Sequence, residues 1–276
     1  MNIEVILQYI LYFFIYSFAG WVLESVSKTI AQKKLVNSGF LKGPYCPIYG
    51  FGALIMILCL GFLKQKPLLL FIAGFFILSI WEYVVGLLLE KIFKTKYWDY
   101  SHLKFNIKGR VCLKNSIFWG VLGLVFVRYV HEWVKGYVIL IPKDTLFYID
   151  VILGIAIIID IIVSVIEVTN FEISLEKINK IGESIKEKLE EIKILKGKTK
   201  EKTLNAEKDK TDNIERVINE LKLAQDKLKL KIYKQASRLK KAFPSMKSES
   251  ITKILSEKMD LKKLKENIKI KSKNKE

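Results

Sequence analysis

Three carboxylates, Glu24, Glu82 and Asp160, lie in or at the end of long apolar runs of this 276-residue chain. An ionisable group is costly in lipid, so such residues face a partner or a watery cavity and mark candidate sites. Proton transfer needs two carboxyl groups held at different proton affinities, and Glu24 and Glu82 are the pair that could supply them. The same residues could instead pair with cations and lock helices together, so the pattern admits a solvated polar cavity or a packing device. Arg128 has Asp150 and Glu132 as candidate neutralisers.

A second polar group falls in the stretch 97–116, where Asp99, His102, Asn106 and Arg110 alternate with Tyr97, Trp98 and Tyr100. Tyr and Trp settle where one end of the ring is apolar and the other wet, as at a membrane face. The four polar residues offer charge and hydrogen bonds to a polar ligand, or only close the loop on itself. Arg110 is the one arginine there, and its planar fork suits a carboxylate, with Glu82, Asp160 and Glu24 as the expected partners.

Other chemistries are excluded. No Ser-His-Asp order, H-E-x-x-H or G-x-S-x-G occurs, and two histidines with three scattered cysteines offer no metal or disulfide framework. Gly197-Lys198-Thr199 fails as a P-loop, because Ile192 stands where the first glycine is required and no strand precedes it. No cofactor, metal or nucleic acid is expected.

The element that must position these groups is the stretch Asn37–Gly52, NSGFLKGPYCPIYGFG. It holds Gly39, Gly43, Gly50 and Gly52 with Pro44 and Pro47, and Asn37 opens it. Glycine allows close or left-handed backbone and proline fixes φ, which together suit a sharp turn packed against other groups. Around it, Val5–Val26, Pro47–Leu63, Leu68–Leu89, Ile117–Val134 and Leu146–Val168 read as about five spans, the second being short. At ~1.5 Å per residue, Glu82 and Asp160 each lie ~21 Å from the start of their span. Eleven basic residues in the loops after the first and third spans face four on the other side. That bias predicts an outside N-terminus and a cytosolic tail.

Residues 1–169 carry a net charge of +6 and residues 170–276 a net of +12. The expected organisation is a transmembrane domain over 1–169 and a basic helical tail over 170–276. In the tail, Leu175, Ile178, Ile185, Leu189 and Ile192, then Ile214, Ile218, Leu221, Leu228, Ile232 and Leu239, recur at helical spacing across a polar break at 196–211. Such stripes predict a helical hairpin or coiled coil that Pro244 ends, with a lysine-rich remainder. The fold class is therefore all-α: a polytopic bundle followed by a helical tail.

The blocks Tyr16-Ser-Phe-Ala-Gly-Trp-Val-Leu-Glu24, Asn37–Gly52, Trp98-Asp-Tyr-Ser101, Phe105-Asn106 and Gly109-Arg110-Val-Cys112 resemble the CmpB-like family of ABC-transporter type IV membrane proteins. The resemblance covers roughly residues 8–130 and leaves the tail outside. It implies a multi-pass bacterial inner-membrane protein acting as a permease-like component. With no nucleotide site of its own, an ATP-driven version needs a separate ATPase subunit, and residues 170–276 offer a surface for that or another cytosolic protein. Membrane lipids are the other expected partner. Two alternatives stand beside this: an intramembrane enzyme using Glu24, Glu82, Asp99 and His102 on a lipid-linked substrate, and a scaffold recruiting a partner through its tail.

Overall fold

A computed structural model describes residues 2–93, 95–197, 204–256 and Ile268. Nearly all of it is helical, and each element starts or stops where the local chemistry requires. Helix α1 (Ile3–Gln32) opens on Asn2, whose side chain accepts from the Glu4 N–H at 3.3 Å, and closes on Lys33 in the left-handed region at φ 50°. Pro47 and Pro67 stand at the first positions of α2 (Pro47–Leu60) and α3 (Pro67–Phe93), where a missing N–H costs nothing. A short 3₁₀ turn, Gly61–Leu63, extends α2. The strands β1 (Asn106–Ile107) and β2 (Val111–Cys112) form a small antiparallel hairpin that leads into α4 (Leu113–Val125). A π-helical turn, Phe126–Val130, joins α4 to α5 (His131–Val138). Then follow α6 (Lys143–Gly197), α7 (Leu204–Ala242) and α8 (Glu249–Ser256).

Among the described residues, four segments are long and apolar enough to cross a membrane: Ile3–Gln32, Pro67–Phe93, Leu113–Val138 and Lys143–Leu195. Pro47–Leu63 is shorter; its 17 residues reach about 25 Å, just under a ~30 Å hydrocarbon core. The all-α membrane architecture is as expected, with four long helices and, at the second of the about five spans, the short one.

Two compact units share these helices: residues up to Ile166 together with Arg238–Ser248, and Glu167–Ser237 with the segment from Glu249. In the first unit, small residues let helices approach closely, as membrane packing requires. A Cβ on Gly74 would stand 3.5 Å from the Trp119 carbonyl and 3.6 Å from the Gly120 Cα, so α3 and α4 meet almost backbone to backbone. A Cβ on Gly50 would collide with Ser17 and stand 2.6 Å from the Phe13 carbonyl, which seats α2 on α1. Leu60, Leu70 and Leu146, all fully buried, centre the apolar core.

Within the second unit, Ile185, Ile192 and Ile218 form a buried cluster with Ile181, Ile214 and Leu221. Gln225 Nε2 donates to the Ile178 carbonyl at 3.2 Å and Gln235 Nε2 to that of Glu167 at 3.3 Å, so the two helices run antiparallel. The sequence stripe holds in part: Leu189 is 41% exposed, and Leu223, outside the stripe, is buried. The last apolar run and the first tail helix are one unbroken helix, because no proline or glycine pair interrupts Leu146–Leu195. Lys198, Thr199 and nearly all of the lysine-rich remainder lie outside the described residues.

Candidate functional site

The polar residues of the first unit gather around the Gly/Pro loop and the 97–112 loop, each on its own partners. Asn37 works as a clamp within the Gly/Pro stretch. Its Oδ1 accepts from the Trp21 indole at 2.6 Å and its Nδ2 donates to the Lys42 carbonyl at 2.7 Å. Gly39 adopts φ 92°, and a Cβ there would come 2.6 Å from the Cys46 sulfur. Pro44 sits at the centre of a tight turn in which the Tyr45 N–H reaches the Gly43 carbonyl at 2.9 Å. Asp160 on α6 holds the loop's backbone: its oxygens accept the N–H groups of Lys42 at 3.2 Å and Gly43 at 2.7 Å, and the Ser164 hydroxyl at 3.1 Å. Lys42 and Gly43 thus present peptide groups to a carboxylate rather than to lipid, the condition under which irregular backbone survives at membrane depth. Burial, and then Asp160, raise the Tyr45 hydroxyl above its ordinary range.

Pro47 starts α2, and the preceding Cys46 N–H donates to the Ser17 carbonyl at 2.9 Å. The Cys46 thiol donates to Glu24 Oε2 at 3.8 Å, while Glu24 Oε1 accepts from Lys28 at 2.5 Å. Burial, and next the Glu24 charge, push this thiol up to about 12 despite Lys28, so it is a protonated donor and no nucleophile.

Glu82 is 5% exposed on α3. Its two oxygens accept from the Tyr100 hydroxyl at 3.2 Å and the Trp119 indole at 2.9 Å. Both donors are neutral. Burial, followed by the Glu82 charge, raises Tyr100 well above its usual range, which keeps it a donor. Tyr49, inside the Gly/Pro stretch on α2, lies within electrostatic reach of Glu24, Cys46, Tyr100 and Glu82. Its ring packs against Gly20, where a Cβ could not fit. Gly52 stands 3.7 Å, measured from a built Cβ, from Trp81, whose indole donates to the Ile48 carbonyl at 3.1 Å.

In the second loop, Asp99 is 4% exposed and accepts from the Ser101 hydroxyl at 2.5 Å and N–H at 3.2 Å, and it pairs with Lys247. Burial pushes its carboxyl up, but Lys247 and Ser101 outweigh that and hold it down to about 2. Asn106 ties the hairpin: Nδ2 donates to the Leu103 carbonyl at 2.8 Å and Oδ1 accepts the Gly109 N–H at 3.0 Å. Gly109, at φ 71°, passes Asp99 and Ser101 too closely for any side chain. His102 is exposed on a turn and takes no part in these bonds.

Arg110 does not neutralise Glu82, Asp160 or Glu24. Its Nε and Nη2 donate to Glu90 Oε2 at 3.0 and 2.7 Å, and Nη1 to the Tyr83 hydroxyl at 3.3 Å. Glu90 lies two turns beyond Glu82 on α3, level with the loop that carries Arg110, whereas Glu82 is met by uncharged donors deeper in the helix pair. A shallow recess of about 10 Å³, room for one water molecule, opens beside this pair, lined by Gly86, Leu89, Lys96, Tyr97 and Trp98. The expected Arg128 partners also differ: Glu132 pairs with Lys64 at 3.0 Å, and Arg128 lies 5.8 Å from the centre of the Tyr129 ring.

The structure thus puts Glu24 and Glu82 both within electrostatic reach of Tyr49, and holds Asp99, Arg110 and Asp160 in separate hydrogen-bond groups. Reading the sequence missed Tyr49, Tyr100, Trp119 and Glu90. Tyr49 and Tyr100 stood inside the two loops already singled out; nothing local marked Glu90 or Trp119. Among the described residues no group of three or more His, Cys, Asp or Glu side chains is placed to hold a metal ion.

Neither the curated proteins nor the solved structures contain a match to this chain. The family model described as "Putative ABC-transporter type IV" matches residues 11–165, which include both loops, Glu24, Glu82 and Asp160. Covering more than half of the chain, that match shows that the protein belongs to the ABC_trans_CmpB family of transporter-type membrane proteins.

Proposed function

We propose that this protein is a permease-like component of an ABC-type transport system in a bacterial inner membrane, with a polar site on the cytosolic side. Its N-terminus lies outside and its tail in the cytosol, in keeping with the excess of basic residues in the two loops. The observation that carries the reading is Glu82: a carboxylate 5% exposed whose two oxygens accept from the neutral Tyr100 hydroxyl and Trp119 indole, with Glu24 as a second carboxylate within electrostatic reach of the same Tyr49. A packing ion pair would supply a cation; this arrangement instead leaves the charge of Glu82 free to act on a polar or cationic ligand, or to change with a proton. Energy from ATP comes from a separate subunit, since the chain has no P-loop.

The test is purification of the full chain from its native membranes in mild detergent, with Glu82→Gln alongside. The expected result is a co-purifying ABC-type ATPase and loss of cellular function in the Gln variant. Absence of any ATPase, together with full function of Glu82→Gln, overturns the reading.

A further inference from the structure

We propose that Arg238–Ser248 is an autoinhibitory strap: it clasps the loop-bearing end of the first unit and, on release, uncovers the Glu24–Cys46 face. The inference rests on the polar site proposed above and adds how access to it is controlled.

The strap is specified locally. Pro244 cannot continue α7, and the chain turns instead, with the Met246 N–H on the Phe243 carbonyl at 3.0 Å. A helix end leaves its last carbonyls without partners. Those of α7 are taken by α1: Gln32 Nε2 donates to the Lys241 carbonyl at 3.0 Å, and Lys28 Nζ to that of Ala242. Lys28 at a helix C-terminus also suits the negative end of the dipole. The same ammonium binds Glu24 at 2.5 Å, and Glu24 accepts from the Cys46 thiol, so one hydrogen-bonded chain runs from the strap to the Gly/Pro loop. Beyond the turn, Lys247 exchanges backbone hydrogen bonds with Lys96, at 3.3 and 2.9 Å, and its ammonium meets Asp99. Phe243 closes the middle, edge-on to Tyr97 at 4.9 Å with Lys28 5.1 Å from its ring centre.

Among these ties the ion pair is half in water: the Lys247 side chain is 68% exposed. Exposed pairs weaken in salt, so the strap is built to open with ionic strength or with pull along α7, which is continuous with it.

The full chain in lipid nanodiscs is treated with a water-soluble maleimide, and peptide mass mapping follows Cys46 separately from Cys59 and Cys112. Cys46 is expected to react slowly in the unaltered protein, about tenfold faster in the Lys247→Glu/Phe243→Ala double variant, and several-fold faster in molar salt. An unchanged Cys46 rate with Cys112 still protected overturns the proposal. If Cys112 also becomes reactive, the double variant has unfolded. The milder Lys247→Gln variant and the salt series then decide, and a flat Cys46 rate in both overturns it. The readout involves no transport. A failed strap therefore leaves the permease reading standing, and a fully active Glu82→Gln defeats that reading without touching the strap.

Discussion

Glu82 and Asp150 are both buried acids in apolar helices, at 5% and 6% exposure, yet their surroundings are opposite. Glu82 has a neutral donor on each oxygen. Both oxygens of Asp150 are buried without a hydrogen-bond partner among the described residues, on the part of α6 where Leu146, Ile149 and Leu153 enter the apolar core. Ten residues further along α6, about 15 Å, Asp160 is again fully engaged by loop N–H groups. The lesson is that the loop-bearing end of the first unit is built around its acids, whereas the end carrying Asp150 is built around aliphatic side chains.

The contrast can be broken most severely at Glu82. Glu82→Leu strands the Trp119 and Tyr100 donors, and about 2–5 kcal/mol of stability should be lost, while Glu82→Gln keeps an acceptor and loses much less. Thermal unfolding of both variants in one detergent checks this; equal losses would mean that the two hydrogen bonds contribute nothing. Asp150→Leu should act in the other direction, raising stability by about 1–3 kcal/mol by removing an unpartnered polar group. A lower melting temperature for that variant would show that Asp150 is satisfied by something bound in the membrane.

The smallest effect concerns Asp99. Its carboxyl is depressed in the folded chain, so the contribution of its contacts is complete above the ordinary Asp value of ~3.9 and is lost as pH falls towards about 2. Discounted for the exposure of Lys247, this amounts to ~1 kcal/mol. Acid titration of the melting temperature should show that loss in the unaltered protein and a smaller one in Lys247→Gln.

Part of this was legible in the sequence. The apolar runs and proline starts marked α1 to α3, because span length and a missing N–H are local properties. Gly39 and Gly50 advertised a backbone that tolerates no side chain, and both are pressed against α1 or Cys46. Choosing Glu24, Glu82, Asp99 and Asp160 as the acids of interest required only their setting. Their partners were not legible. Arg110 went to Glu90 because two turns along α3 change the depth at which a carboxylate is met, and the stripe in the second unit misplaced Leu189 because one residue turns a helix by about 100°.

The sequence by itself determined that the chain is helical and membrane-borne, that a Gly/Pro loop and an aromatic loop flank its apolar helices, and that a basic helical tail follows. Composition and periodicity act over a few turns, and these features need no more than that. Only the tertiary structure decided that Tyr49 feels both Glu24 and Glu82, that Asp150 has no hydrogen-bond partner among the described residues, and that Lys247 closes on Asp99 across the length of the tail. Those outcomes depend on helix rotation and depth and on a chain that returns on itself, and no local pattern encodes them.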